Sequence, residues 1–294
     1  DQRIIDLYDE YTHAPLPRRV FLERLTLLAG GAAAIPAILS QIEPNYALAA
    51  QVPENDPGID AAMTGYPGPA GTVMAYRAAP KGLGKAPAVI VIHENRGLNP
   101  YVQDVARRVA KAGFVALAPD LLSPLGGTPA DPDQARDRIA KLDRAAVVKD
   151  LQAAMTALRA DAAVTGKVGV VGFCWGGGMV NQLAVAAPDL DAGVAFYGPT
   201  PEPAQAAAIK APLLLHYAGL DQRINAGIPA YDEALKKAGV KHEIFLYEGV
   251  NHAFHNDTSA ERYDKAAADL AWDRTIAFLK SALASQHRNN NTAF

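Results

Sequence analysis

Short runs of β-branched and aliphatic residues recur along the chain, separated by longer segments of helical period. Ala88–His93 (AVIVIH) is apolar almost without a break, the mark of a strand covered on both faces. Thr72–Ala79, Phe114–Ala118, Lys167–Val171, Ala192–Phe196, Pro212–Tyr217 and Glu243–Tyr247 read as further strands. Between and after them, Pro100–Ala112, Asp133–Asp161, Trp175–Ala186, Tyr231–Ala238 and Ala260–Ala284 read as helices. Repeated βα units of this length predict an α/β fold. Its sheet would be mostly parallel, of roughly seven or eight strands, with helices on both faces.

The N-terminal pattern is different. Residues 1–16 are polar and mixed, and Pro17-Arg18-Arg19-Val20-Phe21-Leu22 leads into an apolar run from Leu25 to Leu39. Tyr46-Ala47-Leu48-Ala49-Ala50 follows. A twin arginine, an apolar stretch and an A-x-A end resemble a twin-arginine export signal. That reading places the protein in the periplasm or outside the cell. The run is about 15 residues, short of the ~20 a membrane-spanning helix needs, so no stable membrane anchor is expected. The same residues also fit an amphipathic helix packed on the main domain, with Phe21, Leu22, Leu25 and Leu28 on one side; a cytoplasmic location is then the alternative. Residues 51–70, with Pro53, Pro57, Pro67 and Pro69, read as a linker without regular structure. The catalytic domain is expected over 71–285, after an extension at 1–50 and before a tail at 286–294.

Charge narrows the partners. The chain has 294 residues, with 28 Lys and Arg against 31 Asp and Glu, and a net charge of -3. There is no basic excess to bind nucleic acid. A single cysteine excludes an internal disulfide and cysteine-rich metal sites.

That cysteine sits in Gly172-Phe173-Cys174-Trp175-Gly176-Gly177-Gly178, between a predicted strand and a predicted helix. This is the context of a nucleophile elbow. A sharp strand-to-helix turn lifts the nucleophile clear of the sheet, and bulky residues two positions either side would strike neighbouring backbone. The N-terminus of the following helix favours a thiolate and an oxyanion. Read alone, the string also suits a small buried Cys packed among glycines. Asp221 follows the strand Pro212–Tyr217, and His252 follows the strand Glu243–Tyr247. Both therefore lie at C-terminal strand ends, where parallel sheets place their sites. Nucleophile, acid and histidine in this chain order predict a triad: His252 accepts the thiol proton and Asp221 orients the imidazole. Glu94 ends a wholly apolar strand, so a buried carboxylate near the thiol is expected, with an ion pair to Arg96 as the structural alternative.

Over about residues 70–285 the sequence resembles the dienelactone hydrolases, or carboxymethylenebutenolidases, of the α/β-hydrolase superfamily. The anchors are His93-Glu94-Asn95-Arg96-Gly97-Leu98, Ala118-Pro119-Asp120-Leu121, the Cys174 elbow, Gly219-Leu220-Asp221 and Asn251-His252-Ala253-Phe254. The resemblance implies a Cys174–His252–Asp221 triad and a Glu94 that hydrogen-bonds the resting thiol. It also implies an oxyanion hole from the backbone N–H groups of Trp175 and Asn95, and hydrolysis of an ester or lactone through an acyl-thioester, without a cofactor. The family's two carboxylate-binding arginines are absent. Leu121-Leu122-Ser123-Pro124 holds none, and Asn256 stands four residues beyond the histidine. With Arg96, Tyr101, Tyr197, Phe254 and His255 as pocket walls, a less charged, aromatic acyl group is expected.

A metal site built from His93, Glu94, His252 and His255 lacks a ligand spacing of its own, and none is expected. The expected partner is a small ester or lactone, and monomer and homodimer are both compatible with the chain. The competing function is a non-catalytic binding module on the same fold.

Overall fold

The computed structural model describes residues 1–49 and 51–284; the expected tail at 286–294 lies outside them. Eight strands form one sheet: β1 (Ile59–Gly68), β2 (Gly71–Pro80), β3 (Ala86–Ile92), β4 (Val115–Pro119), β5 (Val164–Phe173), β6 (Ala192–Phe196), β7 (Leu213–Ala218) and β8 (His242–Tyr247). The order is β1-β2-β4-β3-β5-β6-β7-β8. From β4 to β8 every pairing is parallel, while β1 and β2 add an antiparallel edge. All of β4, β6 and β7 is buried, as unbroken apolar runs require.

Helices α4 (Pro100–Lys111), α6 (Arg144–Ala160), α7 (Trp175–Ala186), α9 (Ile228–Lys237) and α10 (Lys265–Ala282) cover the sheet. Two large apolar clusters result. One joins Ile90, Val170 and Leu215 to Leu151, Val180 and Leu235; the other joins Val89, Val171 and Leu214 to Val105, Ala271 and Leu279. Adjacent strand residues thus feed opposite clusters, which is the period-two consequence of the pleat.

Two sequence expectations are corrected. Residues 51–70 are not an irregular linker: β1 pairs with β2 over ten positions, from Ile59 opposite Pro80 to Gly68 opposite Gly71. Pro67 is tolerated because β1 is an edge strand, where a missing N–H need not break a ladder. Tyr66 anchors the strand by burying its ring and donating its hydroxyl to the Asp150 carbonyl at 3.0 Å. The helical stretch Asp133–Asp161 is two helices, α5 (Pro132–Ile139) and α6. The break falls where the Asp143 carboxylate caps the second helix through the Ala145 N–H.

The N-terminal segment folds as α1 (Gln2–His13), α2 (Arg18–Ala29) and α3 (Ile35–Ile42) around Tyr8, Tyr11, Phe21, Leu25 and Ile42. Arg18 and Arg19 open α2; Arg18 pairs with Glu43 and Asp133, and Arg19 with Glu23. This small core is tied to the sheet domain. The Tyr11 hydroxyl donates to Asp133 at 2.6 Å, Ser259 donates to the Ile42 carbonyl, and the Arg262 guanidinium lies 4.9 Å over the Tyr8 ring. Among the described residues no single helix is long and apolar enough to cross a membrane.

Candidate active site

Strand β5 runs into α7 through Cys174, whose φ of 56° and ψ of -119° leave the ordinary regions of backbone space. Its N–H donates to the Phe196 carbonyl at 2.9 Å and its carbonyl accepts from Gly178, so the turn is over-determined by its neighbours. A Cβ on Gly172 would stand 2.2 Å from the Gly176 carbonyl oxygen; one on Gly176 would stand 2.4 Å from that of His93. The two glycines let α7 descend onto the end of β3, which leaves the Trp175 N–H at the first position of a helix without an intrahelical acceptor. Among the described residues, the non-glycine positions with positive φ are Cys174, Tyr197 and Ala253, all at this edge of the sheet.

The loops after β7 and β8 deliver the next two groups. Asp221 caps the short helix α8 (Gln222–Asn225), and its other oxygen meets His252 Nδ1 at 2.5 Å. Burial opposes ionisation of Asp221, but the charge and hydrogen bond of His252, with Arg223, hold the carboxyl below its usual value. Burial likewise disfavours the His252 imidazolium. Once Cys174 is ionised, its thiolate and the Asp221 carboxylate outweigh this and hold His252 well above its ordinary value, so the imidazole keeps the proton that it takes from the thiol. The His252 Nε2 atom is buried without a hydrogen-bond partner, and the Tyr197 ring packs 4.9 Å from the imidazole.

A residue with no sequence signal completes the centre. His13, the last residue of α1, places Nε2 3.1 Å from Cys174 Sγ, and its ring stands edge-on to His252 at 4.7 Å. The ligand-type atoms of His13, Cys174 and His252 all lie within 4.8 Å of one another. The residues weighed for a metal from sequence do not converge: His93 is engaged by the Glu94 carbonyl and the Leu121 N–H, and His255 by the Tyr101 hydroxyl.

Glu94 is buried, and desolvation raises its carboxyl above the usual value despite the nearby Arg262 and His252. One carboxylate oxygen accepts from Asn256 at 2.9 Å and the other has no partner, so Glu94 does not hydrogen-bond the thiol. Asn95 directs its side chain to the Thr12 carbonyl at 2.7 Å, fastening α1 over the site. Arg262, also unforeseen, is buried beside Glu94 and Cys174.

A cavity of about 660 Å³ opens above the sulfur. Its walls include Thr12, His13 and Pro15 from the N-terminal segment, Ile139 and Leu142 from the α5–α6 turn, and Trp175. Four cations reach it, Arg136, Lys141, Arg144 and Arg223, against the single carboxylate of Asp137. The expectation of a less charged pocket is therefore corrected: the positive charge comes from elements other than the two family positions. Of the expected walls, Tyr101, Tyr197, Phe254 and His255 do not line this cavity. They form a buried aromatic core beneath it with Phe173 and Phe196, because their rings point into the sheet face. Arg96 lines a smaller recess beside Glu94 and lies 3.5 Å from Asp133.

Comparison with known proteins agrees with this geometry. The chain matches the Dienelactone hydrolase family over residues 73–283. A hydrolase fragment of Escherichia coli K12, YghX, is 54% identical over 110 residues, 36% of this chain and 94% of its own. A proposed carboxymethylenebutenolidase of Saccharolobus solfataricus is 35% identical over 229 residues, 66% of this chain and 88% of its own. The crystal structure of a proposed dienelactone hydrolase from Klebsiella pneumoniae superposes with a TM-score of 0.68 at 30% identity, covering 74% of this chain and 97% of that one. With the sheet order, the cysteine elbow and a match that runs from β2 to α10, the chain belongs to the dienelactone hydrolase family.

Proposed function

We propose that the protein hydrolyses small carboxylic esters or lactones that carry a negative charge, through an acyl-thioester on Cys174. The observation that carries this reading is the position of Cys174 Sγ. It lies at the floor of a cationic cavity, beside a buried histidine whose far nitrogen is held by a buried aspartate.

The steps follow from the geometry. The Cys174 S–H bond breaks, its proton passes to His252 Nε2, and the sulfur electron pair attacks the carbonyl carbon. The carbonyl π pair moves to oxygen, where the Trp175 and Asn95 N–H groups are the candidate donors. Collapse expels the alkoxide, which takes the proton from His252 and leaves as alcohol, or as the tethered hydroxyl of an opened lactone. Water, deprotonated by His252, then adds through its oxygen to the thioester carbon; the C–S bond breaks, the acyl group leaves as the carboxylic acid, and the thiolate takes the proton back from His252 to restore the thiol. Asp221 fixes the His252 tautomer throughout and stabilises its charge. Arg136, Lys141, Arg144 and Arg223 draw an anionic substituent to the mouth.

The test is a panel of aryl esters and lactones, with and without a carboxylate, offered to wild type, Cys174→Ala and His252→Ala. Turnover and a mass increase on Cys174 by one acyl group are expected in wild type, and neither variant should turn over. Undiminished activity of Cys174→Ala would sink the reading.

A further inference from the structure

We propose that His13 is a fourth residue of the reaction centre, and that it holds the Cys174 thiol in its protonated resting form by accepting the S–H hydrogen bond at Nε2. The inference rests on Cys174 being the nucleophile, as argued above.

The tautomer is dictated by the opposite side of the ring. His13 Nδ1 lies 2.8 Å from the Asp9 carbonyl oxygen, which can only accept, so Nδ1 carries the proton. The neighbouring Thr12 hydroxyl also donates to that carbonyl at 3.1 Å. A neutral His13 therefore presents a lone pair at Nε2, 3.1 Å from the sulfur. Facing a lone pair, a thiol gains a hydrogen bond and a thiolate gains only repulsion. A doubly protonated His13 would reverse this, but burial above all, with the charge of Arg223, holds its imidazole well below the ordinary range. Of the two ways to place one proton on the Cys174–His252 pair, His13 thus favours thiol with neutral imidazole over thiolate with imidazolium.

The position is built rather than incidental. Asn95 grips the Thr12 carbonyl, Arg136 donates to the Tyr11 carbonyl at 3.0 Å, and Arg136 also stacks 4.6 Å from the Tyr11 ring. The last turn of α1 is therefore pinned from both sides of the pocket, and His13 reaches the sulfur from the N-terminal segment. In consequence the catalytic centre is incomplete without residues 1–13. It also gives the thiol a quiet resting state by a route that does not pass through Glu94.

The lone cysteine makes the experiment direct, because any S–H stretching band in the Raman spectrum of the full chain belongs to Cys174. At neutral pH wild type is expected to show a broadened, lowered S–H band. In His13→Leu, similar in bulk but without an acceptor, the band should sharpen and move to higher wavenumber. Resting alkylation by iodoacetamide should accelerate several-fold in that variant. Absence of an S–H band in wild type would show a resting thiolate and overturn the proposal without any variant being needed. An unchanged band in folded His13→Leu would do the same. If instead Cys174 were not the nucleophile, the band could behave as described while Cys174→Ala kept its esterase activity, so the two failures are separable.

Discussion

Asn256 donates a 2.9 Å hydrogen bond from Nδ2 to the buried carboxylate of Glu94, across 162 positions of sequence. Its amide cannot turn over, because Oδ1 accepts from both the N–H and the hydroxyl of Thr258. Asn256 thus holds one face of a carboxyl that burial pushes above its usual value. Asn256→Asp sets a second carboxylate against it. Like charges raise both groups further, and a raised carboxyl contributes stability below its unfolded value that is lost as pH rises through the folded one. The variant should lose about 2–4 kcal/mol at pH 8 and distinctly less at pH 5. Thermal melts at the two pH values measure the difference; an equal loss at both would contradict the placement of charge.

The contact between Asp221 and His252 sets the second expectation. Asp221→Asn can present its amide N–H to His252 Nδ1 and stabilise the wrong tautomer. In a triad this costs roughly 10²–10⁴ in kcat with little change in fold. Steady-state kinetics on an aryl ester, with a melting curve for control, gives the answer. A loss below tenfold would mean that Asp221 only caps α8.

His216 is buried between Tyr247, whose hydroxyl is 2.9 Å from Nδ1, and Thr275, 3.0 Å from Nε2. Burial, with Arg274, lowers it to about 3. A depressed folded value means that the unfolded chain binds the proton first. The stability is therefore present above the unfolded value near 6.5 and is lost as pH falls from there toward 3, by up to about 4 kcal/mol. His216→Phe should show a shallower acid limb in denaturant titrations at pH 7, 5 and 4. A parallel limb would mean that other groups carry the effect.

Gly176 tests the elbow as a packing device. Ala at this position puts a methyl 2.4 Å from the His93 carbonyl oxygen and 2.5 Å from that of Ile92, both backbone atoms that cannot swing aside. Overpacking of this kind costs roughly 1–3 kcal/mol. Loss of activity is expected to exceed the loss of stability, since α7 must shift and carry the Trp175 N–H with it. A variant with wild-type melting temperature and activity would show that the helix has room to move.

The cationic rim predicts a salt-sensitive preference. Arg144→Ser and Arg223→Ser should raise KM several-fold for a carboxylate-bearing ester and leave a neutral aryl ester nearly unchanged. In wild type the same KM should rise with ionic strength, because exposed charges are screened within about 10 Å at 0.1 M salt. Equal effects on both esters would remove the charge from the argument.

What the amino-acid sequence determined by itself is the part written in local pattern. Unbroken apolar runs marked β3, β4, β6 and β7 because burial on both faces demands them. The Gly172–Gly176 spacing marked the elbow because only hydrogen fits between α7 and β3. Asp221 and His252 were legible because chain order and strand ends fix where a parallel sheet holds its loops. β1 was not legible: Pro53, Pro57, Pro67 and Pro69 spoke for a linker, and only pairing with β2 at the sheet edge makes Pro67, the one within the strand, harmless. The four aromatic and histidine residues expected in the pocket went the other way, since composition cannot say on which side of a strand end a ring turns. His13 and Arg262 were beyond reach of any local rule. Neither carries a motif: His13 meets Cys174 only because a separate small core around Tyr8, Tyr11 and Phe21 seats α1 across the mouth of the sheet, and Arg262 comes to Glu94 from the chain between β8 and α10, packed over Tyr8. Contacts between segments more than a hundred residues apart are set by the packing of whole elements, and there the tertiary structure alone decided the site.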